Sequence, residues 1–500
     1  MPDSPSDQAP LRLGTASGRW VLATTVLGSG LALLDSTVVN VALGRIGEDL
    51  DASFSGLQWT VNAYTLSLAA LILLGGSLGD RFGRRRVFLI GVVWFALASL
   101  LCGLAPNIEL LIAARGLQGV GGALLTPGSL AIIAASFHVD DRPAAVGAWS
   151  GFSGVAAAVG PLVGGWLVEI DWRLVFLINV PVAVLIVIVA VRHVPESRDP
   201  DAARGLDLTG TLLAATGLGA LTFGLTRAGE VGLVGSAAAT AAVGVACLVA
   251  FVVVEARSTH PLVPLELFRN PQFSAANAVT LLVYAALGVI FVLLVLQLQI
   301  VSGWSPLAAG TALLPVTIVM LLFSSRAGAL AQRIGPRLPM TLGPLIAAGG
   351  ALWMGRIGPD ASYVLDVLAP VLLFAIGLTL LVSPLTATVL DAADDRHAGI
   401  ASGVNNAVAR TSGLLAVAVV PAAVGIAGAD YTDPQTFDEG YGTAMIINAG
   451  LLILGAALAA AFVRRPLAAE PGPDDHRVHI ETCAHCGVTG PQLHPADHDH

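Results

Sequence analysis

The sequence predicts an all-α membrane protein with fourteen transmembrane helices, in two six-helix bundles separated by an inserted two-helix hairpin. Three observations support this fold class. The chain of 500 residues is 55% hydrophobic and 12% charged, about half the charged fraction of soluble globular proteins. Several apolar stretches exceed the roughly 18 residues that mark a spanning helix. A glycine-rich motif in the first part of the chain also recurs 252 residues later.

The apolar stretches define the predicted spans. They run over 20–43, 57–79, 87–105, 108–136, 143–168, 173–194, 206–228, 232–254, 273–301, 307–330, 339–357, 362–390, 399–427 and 441–463. The first six form a bundle over 20–194, the last six form a bundle over 273–463, and the two between them form a hairpin over 206–254. Residues 1–19 are then a polar N-terminal segment, and no removable signal peptide is expected.

The placement of arginine predicts the orientation of the chain. All 25 basic residues are Arg, which favours a GC-rich bacterial genome. With the N-terminus inside, 18 of them fall in cytoplasmic segments, four fall outside and three lie within spans. Because cytoplasmic loops carry the excess of positive charge, we expect a multi-pass protein of the bacterial cytoplasmic (inner) membrane with both termini in the cytoplasm.

A buried acid and a buried base lie on different predicted spans. Asp35 is near the middle of the first span, and Arg115 begins the run Arg115-x-x-Gln118-Gly-x-Gly-x-Ala in the fourth. An arginine at the bilayer centre costs about 2.5 kcal/mol or more, so such residues mark ion or proton paths. A carboxyl poised between burial and a nearby cation can bind and release protons near neutral pH. We expect Asp35 and Arg115 to govern proton coupling; the alternative is a fixed salt bridge that never titrates.

A loop motif follows the second span. It consists of Gly76, Asp80, Arg81, Gly83 and Arg84 at fixed spacing. The glycines permit a tight turn, the carboxylate can face a neighbouring helix N-terminus, and the arginines face the cytoplasm and anionic lipid. A topology anchor would need the arginines alone, so we expect the loop to hold the two halves together in one access state. Gln332 replaces Asp80 in the second copy, so the charged latch is one-sided.

Small residues and a proline mark the fifth span. They are Gly147, Gly160, Pro161, Gly164 and Gly165. Proline removes a backbone hydrogen bond and kinks a helix, while glycines open a groove for another helix. We expect a bend that shapes or seals the central path; generic packing of small residues is the alternative.

Other polar residues within spans are candidates for a substrate cavity. They are Asn40, Gln118, Gln297, Asn405, Asn406 and Arg410. Hydrogen bonding between helices explains such residues about equally well. Trp172 and the stretch Phe176-x-x-Asn179 at the start of the sixth span indicate interfacial anchoring, and no chemistry is expected there.

The segment 464–500 is expected to be a disordered cytoplasmic tail. It contains four candidate zinc ligands, which are His479, Cys483, His485 and Cys486. A closed zinc site needs four ligands from a well-formed motif, and the second Cys pair of a knuckle is missing. We therefore expect no metal site.

Taken together, these motifs resemble those of the major facilitator superfamily and, more narrowly, of its fourteen-helix drug:proton antiporter branch. The resemblance covers about residues 20–463. The context of Asp35 matches the first-helix motif of the branch, the run from Arg115 matches the proton-coupling motif, and Gly160-Pro161 matches the antiporter motif that symporters generally lack. Ala156 departs from that motif, which usually has Gly there. The resemblance implies the major facilitator fold and resistance through export of drugs in exchange for protons.

The expected partners are therefore a small amphipathic substrate, cationic metabolites included, together with protons and the lipid bilayer. A proton-coupled uptake carrier is an alternative, which Gly160-Pro161 disfavours; a carrier-derived metal sensor is another, which Asp35 and Arg115 disfavour. Neither enzymatic activity nor a cofactor is expected. Without lysine the chain has no Gly-x-x-x-x-Gly-Lys phosphate loop, so ATP is not expected to drive it directly. Nucleic acid is not expected as a partner.

Overall fold

The computed structural model of the chain describes residues 11–138, 141–199, 207–258, 261–393, 398–426 and 430–464. The α-helices in these residues are α1 (Ala16–Asp49), α2 (Phe54–Phe82), α3 (Arg84–Gly103), α4 (Ile108–Ser136), α5 (Arg142–Ile170), α6 (Leu174–Leu177), α7 (Asn179–His193), α8 (Leu208–Val231), α9 (Gly235–Glu255), α10 (Pro271–Leu296), α11 (Pro306–Thr311), α12 (Leu314–Ile334), α13 (Arg337–Met354), α14 (Ala369–Asp391), α15 (Ala398–Ala423) and α16 (Pro434–Phe462). A π-helical turn, Gln297–Val301, extends α10, and another, Tyr363–Leu368, leads into α14.

The described residues contain twelve helices, or continuous helical runs, that are long and apolar enough to cross a membrane, and Val159–Ile170 of α5 is a shorter apolar helix. The all-helical prediction is confirmed. Large apolar side chains such as Leu97 and Leu101 of α3 remain exposed on the outside of the molecule. Lipid accommodates such a surface, whereas water does not.

Helix α1 is longer than the predicted span 20–43. Its 34 residues correspond to about 51 Å, well above the roughly 30 Å of a hydrocarbon core. At its start the Thr15 hydroxyl accepts a hydrogen bond from Gly18 N, which caps the helix. At its end Arg45 pairs with Glu48 over 2.9 Å on an exposed surface. Hydropathy therefore marks only the apolar middle of this helix.

Consecutive spanning helices alternate in direction, so their ends gather at two faces of the molecule. We call the face at which α1 begins, at Ala16, the proximal face. The face at which α1 ends, at Asp49, is the distal face. Helices α2, α4 and α12 begin near the distal face and end near the proximal face.

The internal repeat is visible in the backbone. Gly83 separates α2 from α3 with φ of 113°, and Gly335 ends α12, just before α13, with φ of 86°. Only glycine adopts this region without strain. Both copies of the sequence motif thus make the same tight turn between two helices at the proximal face.

Helices α8 and α9 pack closely against each other. A methyl group at Gly224 of α8 would lie 2.5 Å from the backbone nitrogen of Ala241 in α9, so the two backbones can approach only because glycine is present. The connection between them is short, running from Val231 to Gly235. This pair has the form of a helical hairpin.

Two carboxyl groups meet where this pair of helices begins and ends. Asp207 caps α8 by accepting a hydrogen bond from Gly210 N (2.7 Å), and the buried Glu255, at the end of α9, accepts one from Val263 N (2.9 Å). Their other oxygens, Oδ2 of Asp207 and Oε1 of Glu255, both flank Gly210 and have no donor among the described residues. A proton shared between the two carboxyls would supply the missing donor.

Candidate functional site

Helices α1 and α4 bring Asp35 and Arg115 into direct contact in the interior. Nη1 of Arg115 lies 2.5 Å from Oδ2 of Asp35, and the two side chains are 0–1% exposed. The two residues that the sequence predicts to act together are therefore adjacent. A buried ion pair persists only when further hydrogen bonds satisfy its remaining atoms.

The second oxygen of the Asp35 carboxylate is held by two amides. Oδ1 accepts hydrogen bonds from Nε2 of Gln118 (2.8 Å) and from Nδ2 of Asn179 (2.9 Å). Both amides also contact Oγ of Ser99, at 2.6 and 3.0 Å. We call Asp35, Arg115, Gln118, Asn179 and Ser99 the Asp35 network. It joins α1, α3, α4 and α7.

Arg115 makes several hydrogen bonds and two contacts with aromatic rings. Its Nε donates to the Thr60 carbonyl oxygen (3.0 Å), and its Nη1 donates to Oε1 of Gln118 (2.6 Å) as well as to Asp35. The guanidinium carbon lies 4.4 Å from the centre of the Tyr64 ring and 5.7 Å from that of Phe176. Cation–π contacts of this kind are strongest where water is excluded.

Asn179 and Ser99 belong to the site, although no chemistry was expected at Asn179 and Ser99 was not among the predicted residues. The stretch around Asn179 was predicted to anchor the sixth span only. In the structure Asn179 is the first residue of α7 and is fully buried against Asp35. The sequence signal for Asn179 was an amide at the start of an otherwise apolar helix. This signal does not identify Asp35 as its partner.

The residues proposed for a substrate cavity separate into different environments. Gln118 belongs to the Asp35 network, and Gln297 is buried, donating to the Ile357 carbonyl oxygen (2.7 Å) and to Asp438. Asn405 donates to two side chains of α10, Asn277 Oδ1 (3.1 Å) and Thr280 Oγ1 (2.8 Å).

The other three candidates for the substrate cavity have no such hydrogen-bond partners among the described residues. Oδ1 of Asn40 is buried without a hydrogen-bond partner in the described residues, and Asn406 is exposed. Nε of Arg410 is likewise buried and unpartnered.

In the loop between α2 and α3, Asp80 pairs with Arg84. Its Oδ1 lies 2.8 Å from both Nε and Nη2 of the guanidinium. The Asp80 carbonyl oxygen accepts from Asp199 N (3.0 Å). Gly76 faces α4, where a methyl group would lie 3.7 Å from Cβ of Pro127. The loop is thereby tied to the segment that follows α7.

A different carboxylate occupies the helix N-terminus beside this loop. Glu196 accepts from Arg85 N (3.1 Å) and Arg86 N (3.2 Å) in the first turn of α3, and Arg84 N donates to the Ser197 carbonyl oxygen (2.9 Å). The sequence suggested that Asp80 could face a helix N-terminus. Glu196 takes that place at α3 because it reaches the free amides along the helix axis, where negative charge is favoured.

The small residues of α5 pack against helices from both parts of the chain. A methyl group at Gly160 would collide with Oγ1 of Thr37 in α1, and one at Gly165 would lie 2.5 Å from Cα of Leu307. Gly164 packs on Val38. These contacts lie in the distal half of α5. Gly147, nearer the proximal end, makes no such contact, since a methyl group there meets no atom within 4 Å.

Three hydrogen bonds join the early helices to the late ones at the distal face. They run from Gln299 Nε2 to the Val41 carbonyl oxygen (3.0 Å), from Gln58 Nε2 to that of Val417 (2.6 Å), and from the Tyr431 hydroxyl to that of Ala52 (3.1 Å). Burial raises the pKa of Tyr431, so its hydroxyl stays a donor. We call these three bonds, with the Gly165–Leu307 contact, the distal closure.

Across the described ranges, no group of three or more His, Cys, Asp or Glu side chains could hold a metal ion. The weak candidates of the tail, His479, Cys483, His485 and Cys486, lie outside the described residues.

Long apolar helices around a buried ion pair and a set of interior polar side chains define a membrane carrier. Residues 25–418 match the family model of the Major Facilitator Superfamily, and the chain belongs to that family. It is a multi-pass membrane protein and not an enzyme. The family predicted from the motifs is thus confirmed.

Two bacterial relatives of this chain are resistance proteins, which agrees with the predicted drug antiporter branch. The tetracenomycin C resistance and export protein of Streptomyces glaucescens is 33% identical over 84% of this chain and 78% of that protein. The puromycin resistance protein pur8 of Streptomyces alboniger is 36% identical over 88% and 90%. A crystal structure of a bacterial homolog of the human lysosomal transporter Spinster superposes with a TM-score of 0.62 at 16% identity, covering 89% of this chain and 97% of that one. This similarity shows the fold.

Proposed function

We propose that this protein is a proton-coupled antiporter that exports drugs or other amphipathic compounds across the bacterial cytoplasmic membrane and so confers resistance. The observation that carries the proposal is the fully buried Asp35–Arg115 pair within a hydrogen-bonded network. The relatives named above, which are resistance and export proteins, support the direction of transport. In this proposal Asp35 carries the proton, and Arg115 is its partner in the coupling.

The position of Asp35 on α1 suggests how protonation acts on the distal closure. Thr37 and Val38, two and three residues further on, pack against Gly160 and Gly164 of α5. The Val41 carbonyl, six residues beyond Asp35, accepts the hydrogen bond from Gln299. A proton on Asp35 removes the charge that holds α1 to Arg115. Helix α1 can then shift, and the contacts that it makes at the distal face change with it.

We further propose the complete arrangement of fourteen spans. Helix α5 has 29 residues and α13 has 18, which supports adding both to the twelve clear spans. The bundles are then 20–194 and 273–463, with 206–254 as the hairpin. The arginine distribution supports cytoplasmic termini, which makes the proximal face cytoplasmic and the distal face external.

The loop with Gly76, Asp80, Arg81, Gly83 and Arg84 is proposed to stabilise one access state. The Asp80–Arg84 pair and the Asp80 contact with Asp199 support this role, because they link the loop to the segment between the bundles. Gly160, Pro161, Gly164 and Gly165 are proposed to let α5 slide or bend against α1 and α11. In this conformation Gly147 is outside that set of contacts.

The test uses everted membrane vesicles, with amphipathic fluorescent dyes of different charge added to the external medium. An exporter concentrates dye inside such vesicles when a pH gradient is imposed, and a protonophore abolishes the accumulation. ATP depletion under a maintained gradient should leave it unchanged. Movement of dye in the opposite direction would instead indicate the uptake carrier.

A further inference from the structure

Arg410 lies at the middle depth of α15. It is 12 residues from Ala398 and 13 from Ala423, which corresponds to about 18 and 20 Å along the helix. Charged side chains at this depth are rare in membrane proteins and mark pathways for substrates or ions.

The face of α15 that carries Arg410 is turned toward α2. Gly403 and Val417 lie seven residues before and after it, and residues at this spacing share one helix face. A methyl group at Gly403 would lie 2.8 Å from Cδ2 of Leu73, and the Val417 carbonyl accepts from Gln58. Both partners belong to α2, so Arg410 lies between two contacts that join the early helices to the late ones.

Two tyrosines lie on the helices that pack against α15: Tyr64 on α2 and Tyr284 on α10. A methyl group at Gly413, one turn beyond Arg410 on α15, would lie 3.6 Å from the Tyr284 carbonyl oxygen. A tyrosine hydroxyl is neutral near pH 7, so neither residue neutralises the arginine.

Unlike Arg115, Arg410 has no partner in the part of the chain that the structure describes. Arg115 contacts Asp35 and two further acceptors. Among the described residues Arg410 makes no ion pair and no hydrogen bond, and its Nε is buried and unpartnered. The side chain as a whole is half-buried, so a ligand can reach the guanidinium. A guanidinium at this depth with no acidic partner among the described residues offers a position for an anion.

Among the described residues, neither buried carboxylate offers a comparable site to a cation. These carboxylates are Asp35 and Glu255. Asp35 is already bound by Arg115, Gln118 and Asn179, and Glu255 lies at the end of α9. Arg410, by contrast, is a positive charge at the middle depth of its helix with no partner in the described part of the chain.

We propose that Arg410 binds an anionic group of the substrate, so that the exported compounds are amphipathic acids with a carboxylate, phenolate or sulfonate on an apolar body. The planar guanidinium matches a carboxylate in a two-bond arrangement. This inference rests on the proposed export function and replaces the cationic substrate class that the sequence left open.

The experiment measures binding to the purified full-length protein in lipid nanodiscs. The probes share one fluorophore and differ in charge: 1-pyrenebutyrate, its neutral methyl ester, and pyrenylbutyl-trimethylammonium. We expect the wild type to bind the carboxylate at least tenfold more tightly than the ester. Arg410→Gln should remove this difference and leave ester binding unchanged, whereas Arg410→Lys should retain part of it. Arg326→Gln is the matched control, since Arg326 is an exposed arginine that stacks on Phe323 in α12.

The outcomes distinguish the anion site at Arg410 from the proposed export function. Equal binding of the three probes to the wild type, or an unchanged carboxylate preference in Arg410→Gln, overturns the anion site and leaves the export function intact if the ester is still transported. Failure of every probe to bind and to be transported overturns both. If Arg410→Gln also loses the ester, the wild-type charge series decides alone, and a preference for the cation refutes the anion site.

Discussion

Asn179, the first residue of α7, donates a hydrogen bond of 2.9 Å to Oδ1 of Asp35, 144 residues earlier in the chain. With Gln118 on the same oxygen and Arg115 on the other, the carboxylate is held by groups from α4 and α7 while it sits on α1. A change in its charge therefore acts on three helices at once. This makes Asp35 a suitable point from which a proton can alter helix packing.

Asp35→Asn should abolish efflux driven by a pH gradient while the protein remains folded in the membrane. The amide preserves the size of the side chain but cannot exchange a proton. The measurement is transport in proteoliposomes with an imposed gradient. Asp49→Asn is the matched control, because Asp49 is an acid on the same helix, half exposed and paired with Arg173 over 2.9 Å. Wild-type transport by Asp35→Asn would remove this residue from the mechanism.

Asp80→Asn should reduce transport several-fold at a normal level of protein. The pair with Arg84 is partly exposed and is worth about 0.2–1 kcal/mol, enough to shift two balanced access states by up to about fivefold. Single cysteines placed at each face would report the shift through their accessibility. Gln332→Asn alters the equivalent position of the second copy without changing any charge and should have no effect. Unchanged accessibility together with unchanged efflux would refute the latch.

Gly165→Ala should weaken the distal closure and block the transport cycle. Its methyl group would lie 2.5 Å from Cα of Leu307, and overpacking of this kind typically costs about 1–3 kcal/mol. We expect greater labelling of distal cysteines from the external side. Gly147→Ala is the control on the same helix and should behave as the wild type, since its methyl group meets nothing within 4 Å. Equal effects of the two variants would contradict a specific role for Gly165.

Glu255→Gln should preserve the stability of the protein, whereas Glu255→Ala should lower it by about 1–3 kcal/mol. A glutamine can accept the hydrogen bond from Val263 N through its oxygen and donate to Asp207 through its amide, which replaces the shared proton. Alanine leaves both groups without a partner. Thermal unfolding in detergent distinguishes the two variants, and an equally large loss in Glu255→Gln would show that the carboxyls do not share a proton.

The sequence was sufficient to predict the helical membrane fold and the central pair, because a charge within an apolar stretch is conspicuous. The contact between Asp35 and Arg115 is compatible with both interpretations of the pair, proton coupling and a fixed salt bridge. Asn179 was missed because a neutral amide near a helix start hardly alters hydropathy, and its distance in sequence gives no hint of its partner.

The glycines illustrate a second limit of the sequence. Gly147 and Gly165 look alike in a motif, yet only Gly165 approaches another backbone. Which face of α5 is crowded depends on how α1 and α11 pack against it. Glu196 was overlooked for a related reason: it follows the sixth span by sequence and reaches the start of α3 only after folding.

The charge of Arg410, which is unpaired among the described residues, has an electrical consequence if it binds the substrate. Exchange of one entering proton for one leaving monocation moves no net charge, so the membrane potential cannot drive it. Exchange of one entering proton for one leaving monoanion moves two charges in the same direction. At 100 mV, negative inside, this corresponds to about 4.6 kcal/mol per cycle. A carrier that binds its substrate through Arg410 would thus draw on voltage even where the pH difference across the membrane vanishes.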